Sequence, residues 1–497
     1  MPDSWMRAAA AGLSGALLLA PLAVEGAAAQ GIGVGGTSGS GRGWIEEDLG
    51  EAARVRAELT GDGGLRLPTG TPGGAGRAAD SPGPLVTFPG HPLEQAADAV
   101  AVRLDHSGGP GGLLVEARGV RTDGMWTQWR GARPEADKHG ELRATVGLPE
   151  AVARLQVRIG IAPSVETGGT AADRREGRSL AGVLSAVRLR PLDRPEDGDT
   201  ASEGGDGRQE PATERSRPFS ARVFATRIGQ VGQLTANGHR IGESDHFVAL
   251  PSRRGLSQRH RGDYTVRVCT GASAAEDTPN HDGRSDVGDA ASPDGETETG
   301  SAADRSRGSR GPEAGTERRC VYAPVWDVGP WNITDDHWNA DRERWDDLTR
   351  GLPQAQAAYQ DGYNGGRDGF GRRVRNPAGI DLADGTFREG LKLGTNAWVR
   401  VDYLWTAEYA DRAAISSGGS VETVAVRSGP GTSYPERGLA AAAAEVDVTC
   451  RVAGEKVTGP QGVSARWFRI GPADYVPAAY VRGGNGAPEC PRNGATE

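Results

Sequence analysis

The stretch "CVYAPVWDVGPWN", Cys320 to Asn332, decides how this chain is read. Its first half is rich in small apolar residues, as a buried strand is, and Gly329-Pro330 ends it in a turn. Asp327 stands between Trp326 and that turn. Two roles suit an acid in this place. It can accept backbone N–H bonds as an ordinary turn residue. It can also work as an acid in an aromatic-lined groove, where apolar neighbours keep a carboxyl protonated near neutral pH.

Composition limits the alternatives. A chain of 497 residues is expected to hold roughly two to four domains. Hydrophobic residues make up 36% and aromatics 5%, while Gly (76) and Pro (31) are abundant, so the packed cores are local and separated by linkers. A net charge of -9 argues against nucleic acid as a partner. At the N-terminus Arg7 precedes the apolar run "AAAAGLSGALLLAPLAV", and small residues at Ala27 to Ala29 suit cleavage before Gln30. Residues 1–29 therefore read as a signal peptide, and the expectation is a secreted, extracellular or wall-associated monomer with no membrane contact after cleavage. The four cysteines fit no zinc spacing, and neither a metal nor a cofactor is expected. Of the three pairings, Cys269–Cys320 with Cys450–Cys490 keeps each bridge inside one domain.

Along the chain, 30–43 reads as a flexible linker and 44–193 as a β-sandwich-like accessory module, with alternating runs such as "AVAVRLD" (99–105) and "RLQVRIGIA" (154–162). Residues 194–218 are polar and read as a disordered linker. A second region spans 219–406 and is interrupted by 270–319, a tract without aromatics that reads as a disordered insertion. A linker at 407–420, "AEYADRAAISSGGS", leads to a last strand-rich region at 421–490.

Three of these pieces resemble known modules. "DGMWTQWRG" (123–131) is similar to a tryptophan-bearing turn of the β-sandwich modules that precede catalytic domains in secreted bacterial amidases. There Trp126 and Trp129 serve either the core or a ligand platform. "VAVRSGPGTSYP" (424–435), "RWFRIG" (466–471) and "YVPAAYV" (475–481) resemble, in order, the bacterial SH3 domain, a small β-barrel that commonly binds peptidoglycan or its peptide stems. The resemblance implies wall contacts at Arg427, Tyr434 and Trp467.

The central region resembles the double-psi β-barrel of the rare-lipoprotein-A-like, expansin-like group. "LTANGHRI" (234–241), "FVALPSRRG" (247–255), "YTVRVC" (264–269), the opening stretch, "AGIDLADGTFREGL" (378–391) and "AWVRVDYLW" (397–405) follow the family's order. The fold class expected is thus mainly β and multidomain: a sandwich-like module, a six-stranded double-psi barrel and an SH3-like barrel joined by disordered linkers.

The resemblance implies a site at Asp327 and Asp381, which match the family's two aspartates. His239 occupies the place of its glutamate, and the next segment lacks the family's histidine. A lytic transglycosylase needs one acid that protonates the glycosidic oxygen and then takes a proton from the sugar's own hydroxyl. Hydrolysis instead needs two carboxylates and a water. Asp381 equally suits a helix cap. Trp326, Trp331 and Trp338 are candidate sugar platforms, with packing of the insert as the alternative. "TDDH" (334–337) reads as a turn or helix start, not a metal site. The function expected is binding of peptidoglycan or another cell-wall glycan through both barrels. An active lytic transglycosylase or glycan hydrolase, and a protein-binding adaptor, stand as alternatives.

Overall fold

The computed structural model describes residues 43–68, 83–108, 112–161, 182–193, 217–271, 318–418 and 423–491. The expected signal peptide lies outside the described residues. So do 30–43, 194–218 and 270–319, except at their edges. The described chain is mainly β and multidomain. Among the described residues, no helix is long and apolar enough to cross a membrane.

The main strands of the N-terminal module are β1 (His91–His106), β2 (Leu113–Gly119), β3 (Leu142–Ile161) and β4 (Val183–Leu192). Strand β3 pairs with β1 along its first half and with β2 and Leu85–Thr87 along its second. Bulges between Gly147 and Arg154 bend it where the partner changes. The sheet therefore folds back over one apolar core, which includes Val100, Val102, Val157, Ile159 and Leu189.

Six strands form the central barrel: β5 (Phe219–Arg227), β6 (Val248–Leu250), β7 (Thr265–Cys269), β8 (Cys320–Val328), β9 (Ala378–Leu382) and β10 (Ala397–Tyr403). They run in the order β6-β9-β5-β10-β7-β8, and β8 pairs again with β6, so the ring is closed. The pairs β5–β9 and β6–β8 are parallel; the others are antiparallel. Val223, Val248, Val266, Val321, Val325, Ile380 and Val399 share its core. Cys269 and Cys320 face each other across β7 and β8 and are joined by a disulfide.

The C-terminal region holds β11 (Arg412–Ile415), β12 (Thr423–Arg427), β13 (Glu436–Ala441), β14 (Glu445–Asp447), β15 (Cys450–Gly459), β16 (Gly462–Gly471), β17 (Asp474–Pro477) and β18 (Val481–Gly483). They surround a core containing Val426, Val446, Phe468 and Val476, and Cys450–Cys490 ties β15 to the end of the chain. One expectation is corrected here. The stretch 407–420 is not a free linker, because β11 pairs with β14 on one side and β18 on the other. Its alanine-rich composition suggests a linker, but Ala413 and Ile415 belong to the core and Tyr409 is buried.

The regions are also not beads on a string. Strand β8 pairs in parallel with β13, Cys320 beside Gly438 and Tyr322 beside Ala440, so one sheet runs from the central barrel into the C-terminal one. Alternation along β8 serves both cores: Val321 and Ala323 join the central cluster, and Tyr322 between them joins the C-terminal cluster. The junction demands glycine at 438. Its φ of 153° is one that L side chains rarely adopt, and a Cβ there would lie 1.7 Å from the Cys320 carbonyl oxygen. Gly438→Ala is therefore expected to destabilise the chain by about 2–3 kcal/mol, read as a lower denaturation midpoint. An equal substitution at Gly394, whose added Cβ would meet nothing within 4 Å, is the control.

Candidate functional site

Asp327 lies one residue from the end of β8, and its placement depends on a β-bulge. In the β6–β8 ladder Val248 pairs with Val325, but Ala249 pairs with Asp327, leaving Trp326 as the extra residue. Without that bulge, alternation would turn Asp327 to the face of Val325, which is in the barrel core. With it, Asp327 shares the register of Ala249, and so does Asp381 on β9. The two aspartates thus flank β6 on one face, with backbones roughly 10 Å apart by two strand spacings. Asp381 accepts a short hydrogen bond from the Thr226 hydroxyl on β5.

The surroundings of Asp327 come from two modules. Its Oδ1 accepts from the backbone N–H of Val328 at 2.9 Å and of Ala236 at 2.8 Å, the latter in the 234–241 turn. Val55 and Leu85 of the N-terminal module pack on Ala236 and Val328. Arg56 reaches over to donate to the Leu234 carbonyl at 2.9 Å. Burial is the main influence on the carboxyl and pushes it up to about 6. The negative charge of Asp381 acts in the same direction, while the two backbone N–H bonds and Arg56 oppose it.

His239 sits in the same turn but in a different cluster. Its Nε2 is 2.6 Å from Asp245 Oδ2, and its ring lies 4.8 Å from that of Trp326 and 5.9 Å from that of Phe247. Trp326 is mostly buried, and its Nε1 donates to the Arg261 carbonyl at 2.8 Å. Burial pushes Asp245 up, but the hydrogen bonds from His239 and the Gly242 N–H outweigh it and hold the carboxyl below its usual value. His246, next in sequence, is buried against Gly385, and lost hydration holds it below its ordinary value, neutral at pH 7.

The other aromatic candidates divide. Trp331 is half-buried, with Nε1 donating to Asn376 at 3.0 Å and the Arg372 guanidinium near its ring. Trp338 is fully buried, stacked on Tyr403 at 5.2 Å and donating to Gln128 at 2.8 Å. It packs the core and offers no face to a sugar. "TDDH" is likewise interior. Asp335 accepts from Arg342 and the Gln354 N–H, Asp336 accepts from Arg254, and His337 Nε2 lies 2.6 Å from the Tyr403 hydroxyl. Asp335 braces the 332–376 insert internally, while Asp336 and His337 fasten it to Arg254 and to Tyr403 of the barrel. Among the described residues, no three His, Cys, Asp or Glu side chains are grouped to hold a metal ion.

In the C-terminal barrel Tyr434 is exposed, its ring laid against Gly429 and Gly431, and Arg427 donates to the Tyr434 carbonyl at 3.0 Å. Trp467 is buried beneath them and donates to the Glu455 carbonyl at 2.9 Å. It supports the surface and does not form part of it. Sequence reasoning missed Arg56 and Asp245. Neither belongs to a motif, although Asp245 at six residues from His239 was within local reach.

A family model described as a domain of unknown function, DUF8814, matches residues 219–288 and 306–402, about a third of the chain and centred on the barrel. No match is found among curated proteins. Among solved structures, the chain is similar at 10% identity and a TM-score of 0.16 to the catalytic domain of a GH87 alpha-1,3-glucanase in complex with nigerose. That likeness covers 39% of this chain and only 33% of the glucanase, and at this level it carries no argument about fold or activity.

The raised Asp327 value has a definite stability consequence. The folded state holds the proton up to about pH 6, while the unfolded state releases it near the ordinary aspartate value of 3.8. Its contribution is therefore full below that lower value and is lost as pH rises through 6. Two units correspond to about 3 kcal/mol. Chemical denaturation of Asp327→Asn should show a flatter profile than the wild type between these limits. Identical profiles would place the carboxyl at an ordinary value.

Proposed function

We propose that the chain is an exported, peptidoglycan-directed binding protein of the cell envelope. The C-terminal barrel, taken as SH3-like, grips the wall, and the central barrel brings an acid, Asp327, to the glycan. The observation that carries the reading is the pairing of Asp327 with Asp381 in one register across Ala249, with the first carboxyl desolvated enough to keep its proton near pH 6. Such a group can protonate a glycosidic oxygen and then take a proton back, from the sugar's hydroxyl in a transglycosylase or from water in a hydrolase. The exposed Tyr434 beside Arg427 supports wall contact at the far barrel.

A second reading, a non-catalytic adaptor, rests on one observation. Val55, Arg56 and Leu85 cover the Asp327 turn, so a glycan strand has to share that space with the N-terminal module.

Mass spectrometry of sacculi incubated with the full chain separates the readings. Released fragments with anhydro or reducing ends, absent with Asp327→Asn, are the expected result. Intact sacculi at every pH would remove catalysis and leave binding. Retention on sacculi should fall at least about fivefold in Tyr434→Ala; unchanged retention would exclude that surface. Point changes are preferable to removal of the C-terminal barrel, because β13 completes the sheet at β8.

A further inference from the structure

A cavity of about 220 Å³ lies between the N-terminal module and the insert that follows Asp327. Its size suits one substituted ring, being below the about 300 Å³ at which drug-sized pockets begin. Arg133, Arg253 and Arg344 line it, together with Glu116, Glu343 and Phe370. At its floor Glu116 is buried and already engaged: Arg158 holds it at 2.8 Å and Arg253 at 2.7 Å, so this trio carries a net positive charge. Arg133 is exposed, and Arg344 lies 4.3 Å above the Trp345 ring. Glu343 is poorly compensated. It pairs with Arg254 at 3.5 Å, and that guanidinium is already bound to Asp336 at 2.5 Å.

We infer that this cavity binds a small ring carrying a carboxylate, with an acidic sugar as the matching class. Guanidinium groups pair well with a carboxylate, and Phe370 offers a flat apolar face to a ring. Two acids oppose three arginines, and the Glu116 charge is spent on the floor. The site is distinct from Asp327, and the inference stands whether or not that acid is catalytic.

Glu343 makes the binding pH-dependent. Although its side chain is 37% exposed, burial of its surroundings pushes it up to about 7. Arg254 and Arg253 act against this shift, while Asp336 and Glu116 add to it. Protonated, Glu343 donates to a bound carboxylate; ionised, it repels one. A bound carboxylate raises its proton affinity further, so binding takes up a proton and weakens by up to about tenfold per pH unit above 7.

Calorimetric titration of the full chain with N-acetylmuramic acid tests this, with N-acetylglucosamine as the matched ring without a carboxylate. Expected are saturable binding of the acid at pH 6, at least about tenfold weaker binding of the neutral sugar, and a similar loss in Arg133→Ala and Arg344→Ala. Glu343→Gln should bind at pH 6 and lose the decline above pH 7. Equal affinity for both sugars, no saturable binding of either, or an unchanged pH profile in Glu343→Gln would overturn the inference.

Discussion

The assembly depends on two guanidinium groups buried against one indole. Arg118 and Arg158 of the N-terminal sheet lie 4.5 and 4.1 Å from the Trp129 ring, and all three side chains are almost completely buried. Burying two cations is costly, so each is matched: Arg118 by Asp263 of the central region, Arg158 by Glu116. Tyr264, which begins the segment leading into β7, donates to the Thr127 carbonyl at 2.6 Å and joins the same barrel core as Trp129. Breaking such a pair strands a charge in the interior, at a cost of about 3–5 kcal/mol. The sandwich and the barrel therefore hold one orientation, and that orientation sets Val55 and Arg56 over the Asp327 turn and forms the arginine-lined cavity.

The C-terminal barrel is fixed by the same principle. Arg267 on β7 donates to Asp402 on β10 at 2.7 Å and reaches Asp474 on β17, which also accepts from the Tyr322 hydroxyl at 2.8 Å. Polar groups buried at both seams must find partners in the neighbouring module, which gives each seam a single register. The apolar clusters supply the driving force, and the charged pairs select the arrangement.

Much of the barrel was legible because its strands carry continuous Val-rich runs whose order can be followed along the chain. The mainly β, multidomain class came from those runs, while the six-stranded ring came from the resemblance of six segments, in order, to the double-psi barrel group. The site was legible only in part. Asp327 and Asp381 stand in recognisable strings, but a one-residue bulge at Trp326 sets their common face, and alternation alone points Asp327 inward. Trp338 and Trp331 look alike in sequence, yet one meets Tyr403 and Gln128 in the interior while the other lies half-exposed. Contacts such as Arg118 with Asp263 join residues far apart in the chain and leave no local pattern. Residues 412–415 are too few to announce a strand, and their neighbours on both edges make them one.

The close approach of Gly438 to Cys320 bears on how such a protein changes over generations. Modules that meet only through linkers can be exchanged by recombination as independent cassettes. Here a transplanted C-terminal barrel with any side chain at that position would collide with the strand that carries Asp327. The two barrels are therefore inherited as one unit, and glycine at 438 should be retained in every descendant that keeps the shared sheet.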